Sequence, residues 1–389
     1  MKFLCYRFPP FVLVFILLWS PASAQEFLLG EETKGYTMKV AENTDITLRF
    51  RLQPRLDFGD LTTSRDGRRY QSESDLYLRR ARLEFGGNLL KNLKYALHLE
   101  GDKWGQQGND DEVDLFYAYL DYKFLDEFSV RGGKAKLPYS RISLTSSTEQ
   151  LLIERAAATE AAKKVFGDYY QPNLLFHGKF LDGLMNYQLA YADGWEEGKT
   201  LRTGNTVRKA DPFFGGRIEF SPPGWVEKKK SDAHLGRGRH LTLGIHYALQ
   251  NAIEYRESAS DEDRNLWGFD ISGHWEKITF QFEYNQWEED YSQPNRENKE
   301  PKGWYFQAGY FIEGINLEPA VRYEEYDQDS NADDKKQKTW TVGANWYAKG
   351  HSLKLSGNWV HTDYEREATG RLADDDQNDI FQIQAQFYF

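Results

Sequence analysis

The chain has a single cysteine, Cys5, and it falls inside an N-terminal stretch built to be removed. Lys2 and Arg7 precede the apolar run Phe11 to Trp19, and Ser20-Pro21-Ala22-Ser23-Ala24-Gln25 follows it. A basic head, a short apolar centre and an Ala-x-Ala ending make a secretory signal peptide, with cleavage expected after Ala24. The run is too short for a spanning helix. Without Cys5 the mature chain has no thiol, which excludes a disulfide and a cysteine-ligated metal.

Long hydrophobic runs are also missing. After residue 24 no window of eighteen residues is apolar and mean hydropathy is negative, so helices that cross a membrane are excluded. Catalytic signatures are missing too. The eight histidines (His98, His177, His234, His240, His246, His274, His351 and His361) are scattered, with no His-x-x-x-His and no Gly-x-Ser-x-Gly. No catalytic residue, cofactor or metal site is therefore expected. The acidic clusters Asp110-Asp111-Glu112, Asp327 with Asp329, Asp333-Asp334 and Asp374-Asp375-Asp376 lack the Gly and Glu spacing of an EF-hand. They read as solvated outer loops, placed to bind divalent ions that bridge lipopolysaccharide. An excess of positive charge is absent as well. The formal charge is −11, and removing Lys2 and Arg7 leaves 47 basic against 60 acidic residues. That argues against nucleic-acid binding but says nothing of the charge lining a lumen.

What the chain has in quantity is aromatic surface: 24 Tyr, 25 Phe and 11 Trp. It also has strict alternation. Ile46, Leu48, Phe50 and Leu52 alternate with Thr47, Arg49, Arg51 and Gln53. Leu93, Tyr95, Leu97 and Leu99 alternate with Lys94, Ala96, His98 and Glu100. Leu241, Leu243, Ile245 and Tyr247 oppose Thr242, Gly244 and His246, and Ile278, Phe280, Phe282 and Tyr284 oppose Thr279, Gln281, Glu283 and Asn285. Period two puts one set on each face of a sheet. Short links, such as those at 88–91, 125–127, 181–183, 313–315 and 348–350, alternate with long polar ones. Only the link Ser221 to Arg239 is too long for the short side. Short turns alternating with long loops, and aromatics near strand ends, point to a transmembrane antiparallel β-barrel of about sixteen strands with an aqueous lumen. The chain divides into a signal peptide (1–24), an N-terminal periplasmic segment (25–44) and one barrel domain (45–389).

One stretch breaks the alternation. Residues Ser147 to Phe166, STEQLLIERAAATEAAKKVF, are rich in Ala, Glu, Leu and Lys and free of Gly and Pro. Ser147 or Thr148 can cap a helix and Gly167 can stop it, so a helix on a long third loop is expected. The C-terminus returns to alternation: Phe381, Ile383, Ala385, Phe387 and Phe389 share a face and the chain ends on an aromatic.

Together with the helix-bearing third loop, three features resemble the phosphate-selective porin O/P family from about residue 45 to the end. They are Leu78-Arg79-Arg80-Ala81-Arg82-Leu83-Glu84-Phe85-Gly86-Gly87, the approach Arg131-Gly132-Gly133-Lys134-Ala135-Lys136-Leu137-Pro138-Tyr139-Ser140 to the third loop, and the aromatic terminus. The resemblance implies a homotrimer of sixteen-stranded channels in the bacterial outer membrane, among lipid and lipopolysaccharide, whose third loop folds inward and narrows the lumen. It implies passive diffusion of small anions such as phosphate or polyphosphate. Anion passage needs wall cations that offset lost hydration, with Arg suited to phosphate by its two parallel donors. The candidates are Arg49, Arg51, Arg55, Arg80, Arg82, Lys94, Lys134, Lys136, Arg141, Arg155, Lys163 and Lys164. Acidic neighbours could pair with these, so a general porin, or a non-conducting structural or adhesion barrel, stays open.

Overall fold

The computed structural model describes residues 35–61, 73–107, 109, 111–200, 205–257, 261–293, 296–370 and 376–389. The expected signal peptide, Asp110, Asp374 and Asp375 lie outside the described residues. Strands form where side chains alternate: β1 (Tyr36–Ala41), β2 (Thr44–Gly59), β3 (Glu73–Leu90), β4 (Leu93–Trp104), β5 (Val113–Lys123), β6 (Ser129–Lys136), β7 (Tyr170–Phe180), β8 (Met185–Ala192) and β9 (Val207–Lys209). There follow β10 (Phe213–Phe220), β11 (Arg239–Tyr255), β12 (Asp261–Trp275), β13 (Ile278–Tyr291), β14 (Lys302–Tyr310), β15 (Leu317–Asp327), β16 (Lys336–Lys349), β17 (Leu353–Tyr364) and β18 (Gln377–Tyr388).

Sixteen of these strands close into an antiparallel barrel. The two exceptions lie outside the ring. β1 pairs with the start of β2, and β9 pairs with the end of β11, while β8 bonds directly to β10. The seam is made by β18 on β2, where Phe389 and Phe50 exchange both backbone hydrogen bonds at 2.9 and 3.1 Å. Closure leaves the ring no unpaired edge, the condition for a sheet to sit in lipid.

The two faces of the wall differ as the alternation predicts. Leu243, Ile245, Tyr247, Phe269, Phe306, Val342, Trp340 and Phe381 are exposed on the outside. Thr242, His246, Gln281, Glu283, Asn285, Gln382, Gln384 and Gln386 are buried on the inside. The lumenal face of the wall is thus largely polar, with apolar packing gathered where the third loop meets it. Gly244 shows how tightly that face is packed. A Cβ there would come within 2.1 Å of Nη2 of Arg217, whose two terminal nitrogens donate to Asp270 at 2.7 and 3.0 Å.

The third loop, residues 137–169, departs from the expected single helix. It contains only α1 (Arg141–Leu144) and α2 (Ala157–Ala162), separated by turns and bends. The physical reason is the wall. Helix propensity is worth under about 1 kcal/mol per residue, whereas burying a Leu or Ile side chain is worth about 2 kcal/mol. Leu151 and Leu152 pack with Ala233, Phe311 and Tyr347, and Ile142 and Ala156 pack with Tyr305. Backbone carbonyls that a helix would use are taken by donors from the polar face of the barrel. Asn345 bonds Leu151 O at 2.7 Å, Lys354 bonds Thr148 O and Gln150 O at 3.2 Å, and Arg322 bonds Glu154 O at 2.7 Å.

The link between β10 and β11, residues 221–238, is long although it lies on the short-turn side, and it meets the third loop. Arg141 makes a bidentate pair with Glu227 at 2.7 and 2.8 Å, Lys229 pairs with Glu149, and Thr145 Oγ1 donates to Asp232 at 3.1 Å. Two segments from opposite ends of the barrel are therefore bonded to each other.

Candidate functional site

Between the third loop and the wall formed by β2 to β6 lies a cavity of about 810 Å3. Eleven basic side chains line it against four acidic ones, in a chain whose formal charge is −11. Of the twelve candidates, Arg49, Arg51, Arg80, Arg82, Lys136, Arg155 and Lys163 line this cavity. The other cations there are Arg79, Arg131, Lys229 and Lys230.

The remaining five candidates lie elsewhere. Arg55 is held by Asp57 and Glu154. Lys94 is exposed near the short-turn end of β4. Lys134 stands across from Ala118 and Pro172, on the face that carries the exposed Leu120 and Leu174, because the period-two register alternates it with inward Gly133 and Ala135. Arg141 is fully buried against Glu227, a structural tie rather than a cavity wall. Lys164 is exposed, and its neighbour Lys163 turns to the cavity because adjacent residues on one helical turn cannot face the same way.

Arg79 was hidden by strict alternation, which sends either Arg79 or Arg80 into lipid. A bulge resolves the conflict. Gln53 pairs with Arg80 and Pro54 with Leu78, so Arg79 is an extra residue and both guanidiniums point inward. Two adjacent arginines within an apolar strand are the signal for such a bulge, since lipid exposure of either would cost about 2–4 kcal/mol at mid-membrane. Phe116 enters in the same way, because His98 pairs with Tyr117 and Leu99 with Leu115. The Arg82 guanidinium lies 3.9 Å from the centre of the Phe116 ring, and Arg131 lies 4.4 Å from that of Tyr119.

Most cations here have carboxylate partners. Arg51 binds Glu84 at 2.7 Å, Arg79 binds Asp102 and also Glu154 at 3.0 Å, Arg82 binds Glu100, and Arg131 binds Asp121 at 2.6 Å. Arg155 and Lys163 share Glu160 at 3.5 and 2.9 Å. Burial alone would raise the Glu160 carboxyl, but Lys163 and Arg155 outweigh it and bring its pKa down to about 2. Two cations differ. Arg80 is buried and donates to the Gln53 amide oxygen at 3.1 Å, and Lys136 donates to the carbonyls of Leu144 and Thr145 at 2.9 and 3.2 Å. Among the described residues neither has a carboxylate within ion-pair distance. A buried cation with neutral partners keeps a desolvation cost of several kcal/mol that a mobile anion would offset.

Comparisons with known proteins agree with this architecture. The phosphate-selective porin O and P family matches residues 48–389. An uncharacterised protein of Aquifex aeolicus (strain VF5) is 38% identical over 92% of this chain and 91% of its own. Among solved structures, the anion-selective porin from Comamonas acidovorans superposes with a TM-score of 0.61 at 15% identity, covering 91% of this chain and all of that one. The Salmonella typhi OmpF complex with daunomycin gives 0.60 at 13% identity, with 91% and 100% covered. The outer membrane channel DcaP of Acinetobacter baumannii gives 0.58 at 13%, with 92% and 100% covered. At these identities the superpositions establish the fold. With a closed barrel of sixteen strands and a family match from residue 48 to the last residue, the chain belongs to the phosphate-selective porin O and P family.

Proposed function

We propose that this protein is a bacterial outer-membrane channel for the passive diffusion of small anions of the phosphate class, a channel rather than an enzyme. The observation that carries the reading is the pair Arg80 and Lys136, two cavity cations with neutral partners in a lumen where other cations are matched by carboxylates. Phosphate suits them, since a guanidinium offers parallel donors and an ammonium a compact charge. The Comamonas neighbour, described as anion-selective, supports the same class. The third loop and the 221–238 link would together form the constriction. The channel would assemble as a homotrimer amid lipid and lipopolysaccharide, after export by the 1–24 signal peptide.

The competing reading is a general or weakly selective porin, favoured by the ion pairs that neutralise Arg51, Arg79, Arg82 and Arg131. Planar-bilayer recording separates the two. In a chloride gradient the mature chain should show an anion-selective reversal potential, and phosphate should depress the chloride current. Arg80→Gln should weaken that depression. Cation selectivity, or indifference to phosphate, would leave the general porin standing.

A further inference from the structure

The three imidazoles of His234, His240 and His274 come together at the short-turn end of the barrel, and we infer that they hold a divalent transition cation of the zinc class. His240 and His274 are direct partners across β11 and β12. His234 reaches them from the 221–238 link, with its ring stacked on that of His274 at 3.9 Å between centres. One ring nitrogen from each lies within 4.8 Å of the others.

Protons decide what this cluster can do. His274 Nε2 faces the carbonyl oxygen of Arg237 at 2.7 Å, and a carbonyl only accepts, so Nε2 carries the hydrogen and Nδ1 is a bare lone pair. That lone pair looks at His240 Nδ1 from 3.0 Å. The other nitrogen of His240, Nε2, lies 3.3 Å from Ser272 Oγ, a hydroxyl that accepts or donates, and 3.9 Å from a Glu227 carboxylate oxygen, which only accepts and so favours a hydrogen on Nε2. His240 Nδ1 is then bare as well. The third ring adds a buried Nε2 on His234 with no hydrogen-bond partner.

A hydrogen on His240 Nδ1 would satisfy His274, with the Ser272 hydroxyl donating to His240 Nε2, but would still leave the His234 Nε2 without a partner. A cation satisfies all three nitrogens at once. Neutral imidazoles suit zinc, copper and nickel, and not calcium or magnesium. Arg237 O and Ser272 Oγ then act as the outer partners that fix ring orientation. Tetrahedral ligands at about 2.0–2.1 Å from zinc sit about 3.4 Å apart, and imidazole lone pairs lie in the ring plane, so binding requires the His234 side chain to rotate out of its stack on His274. The ion would tie the 221–238 link to the wall, and through Glu227 and Asp232 that link holds the third loop.

The test uses the whole mature chain, purified in detergent without a histidine tag. Zinc is titrated against a chromogenic chelator, and cobalt(II) absorption reads the coordination geometry. We expect one zinc per chain, intense visible bands of tetrahedral cobalt, and affinity lowered at least about a hundredfold in His234→Ala. Should that variant fail to show the heat-modifiable gel mobility of a closed barrel, His274→Gln takes its place. Absence of zinc binding overturns the proposal. So does binding that persists in the variants, because the ion would then lie elsewhere.

Discussion

At the scale of single residues, the lumen separates charges that hold structure from charges that face the cavity. Arg141 belongs to the first kind. It is fully buried with a bidentate carboxylate partner and a further bond to Ser231 O at 3.2 Å. Arg141→Ala would leave the buried Glu227 carboxylate without its guanidinium partner, at a cost of about 3–5 kcal/mol. The temperature at which the folded gel band disappears should therefore fall, and an unchanged temperature would show that the tie is dispensable. Glu160 gives a pH prediction. Its folded pKa lies below the ordinary carboxylate value, so its contribution is present above about 4.5 and is lost as pH falls toward about 2. Glu160→Gln should thus change the reversal potential in chloride by the same amount at pH 8 and at pH 5, and a change present at only one of the two would contradict the assignment. Part of this was legible in sequence. Alternation alone put Arg49, Arg51, Arg80 and Arg82 on the lumenal face. It misses Arg79 because a bulge breaks the period, and the loop-entry motif misplaces Lys134 because a motif carries no register.

At the scale of elements, the strands were readable and the loops were not. A strand is specified by its own alternation, whereas the third loop takes its shape from the walls that hydrogen-bond its carbonyls. Composition from Ser147 to Phe166 favours helix locally, yet the Leu151–Ile153 turn is fixed by Asn345, Phe311 and Tyr347, which lie far along the chain. The 221–238 link failed for a related reason. Its length could be seen, but its union with Glu149 and Thr145 depends on partners in another loop. These contacts make deletion of Thr148–Lys164 informative. It should raise single-channel conductance and weaken ion discrimination, since it removes Arg155 and Lys163 and frees the donors Lys354 and Asn345. Unchanged conductance would mean that the segment does not narrow the path.

At the scale of the molecule, closure and charge segregation are the governing facts. The ring is sealed by the last residue, Phe389, against Phe50, so unfolding must break a continuous ladder with no loose edge to start from. The unboiled mature chain should accordingly run faster on a gel than the boiled one, and equal mobility would contradict a closed barrel. Charge segregation sets the final test. The chain is acidic overall, but the acids gather in long loops, among them Asp329, Asp333 and Asp334, while the cavity is basic. Exposed loop charges are screened beyond about 8 Å at physiological salt and reach about 30 Å at 0.01 M. A lumenal cation is screened far less, because few counter-ions fit beside it. Changing Asp329, Asp333 and Asp334 to Asn should therefore raise anion conductance at low salt and have little effect at physiological salt. Lys136→Glu, a two-unit change beside the third loop, should move the reversal potential toward cations at both. If the loop variant moves selectivity more than Lys136→Glu at physiological salt, ions are chosen at the mouth and the cavity around Arg80 and Lys136 is only a passage.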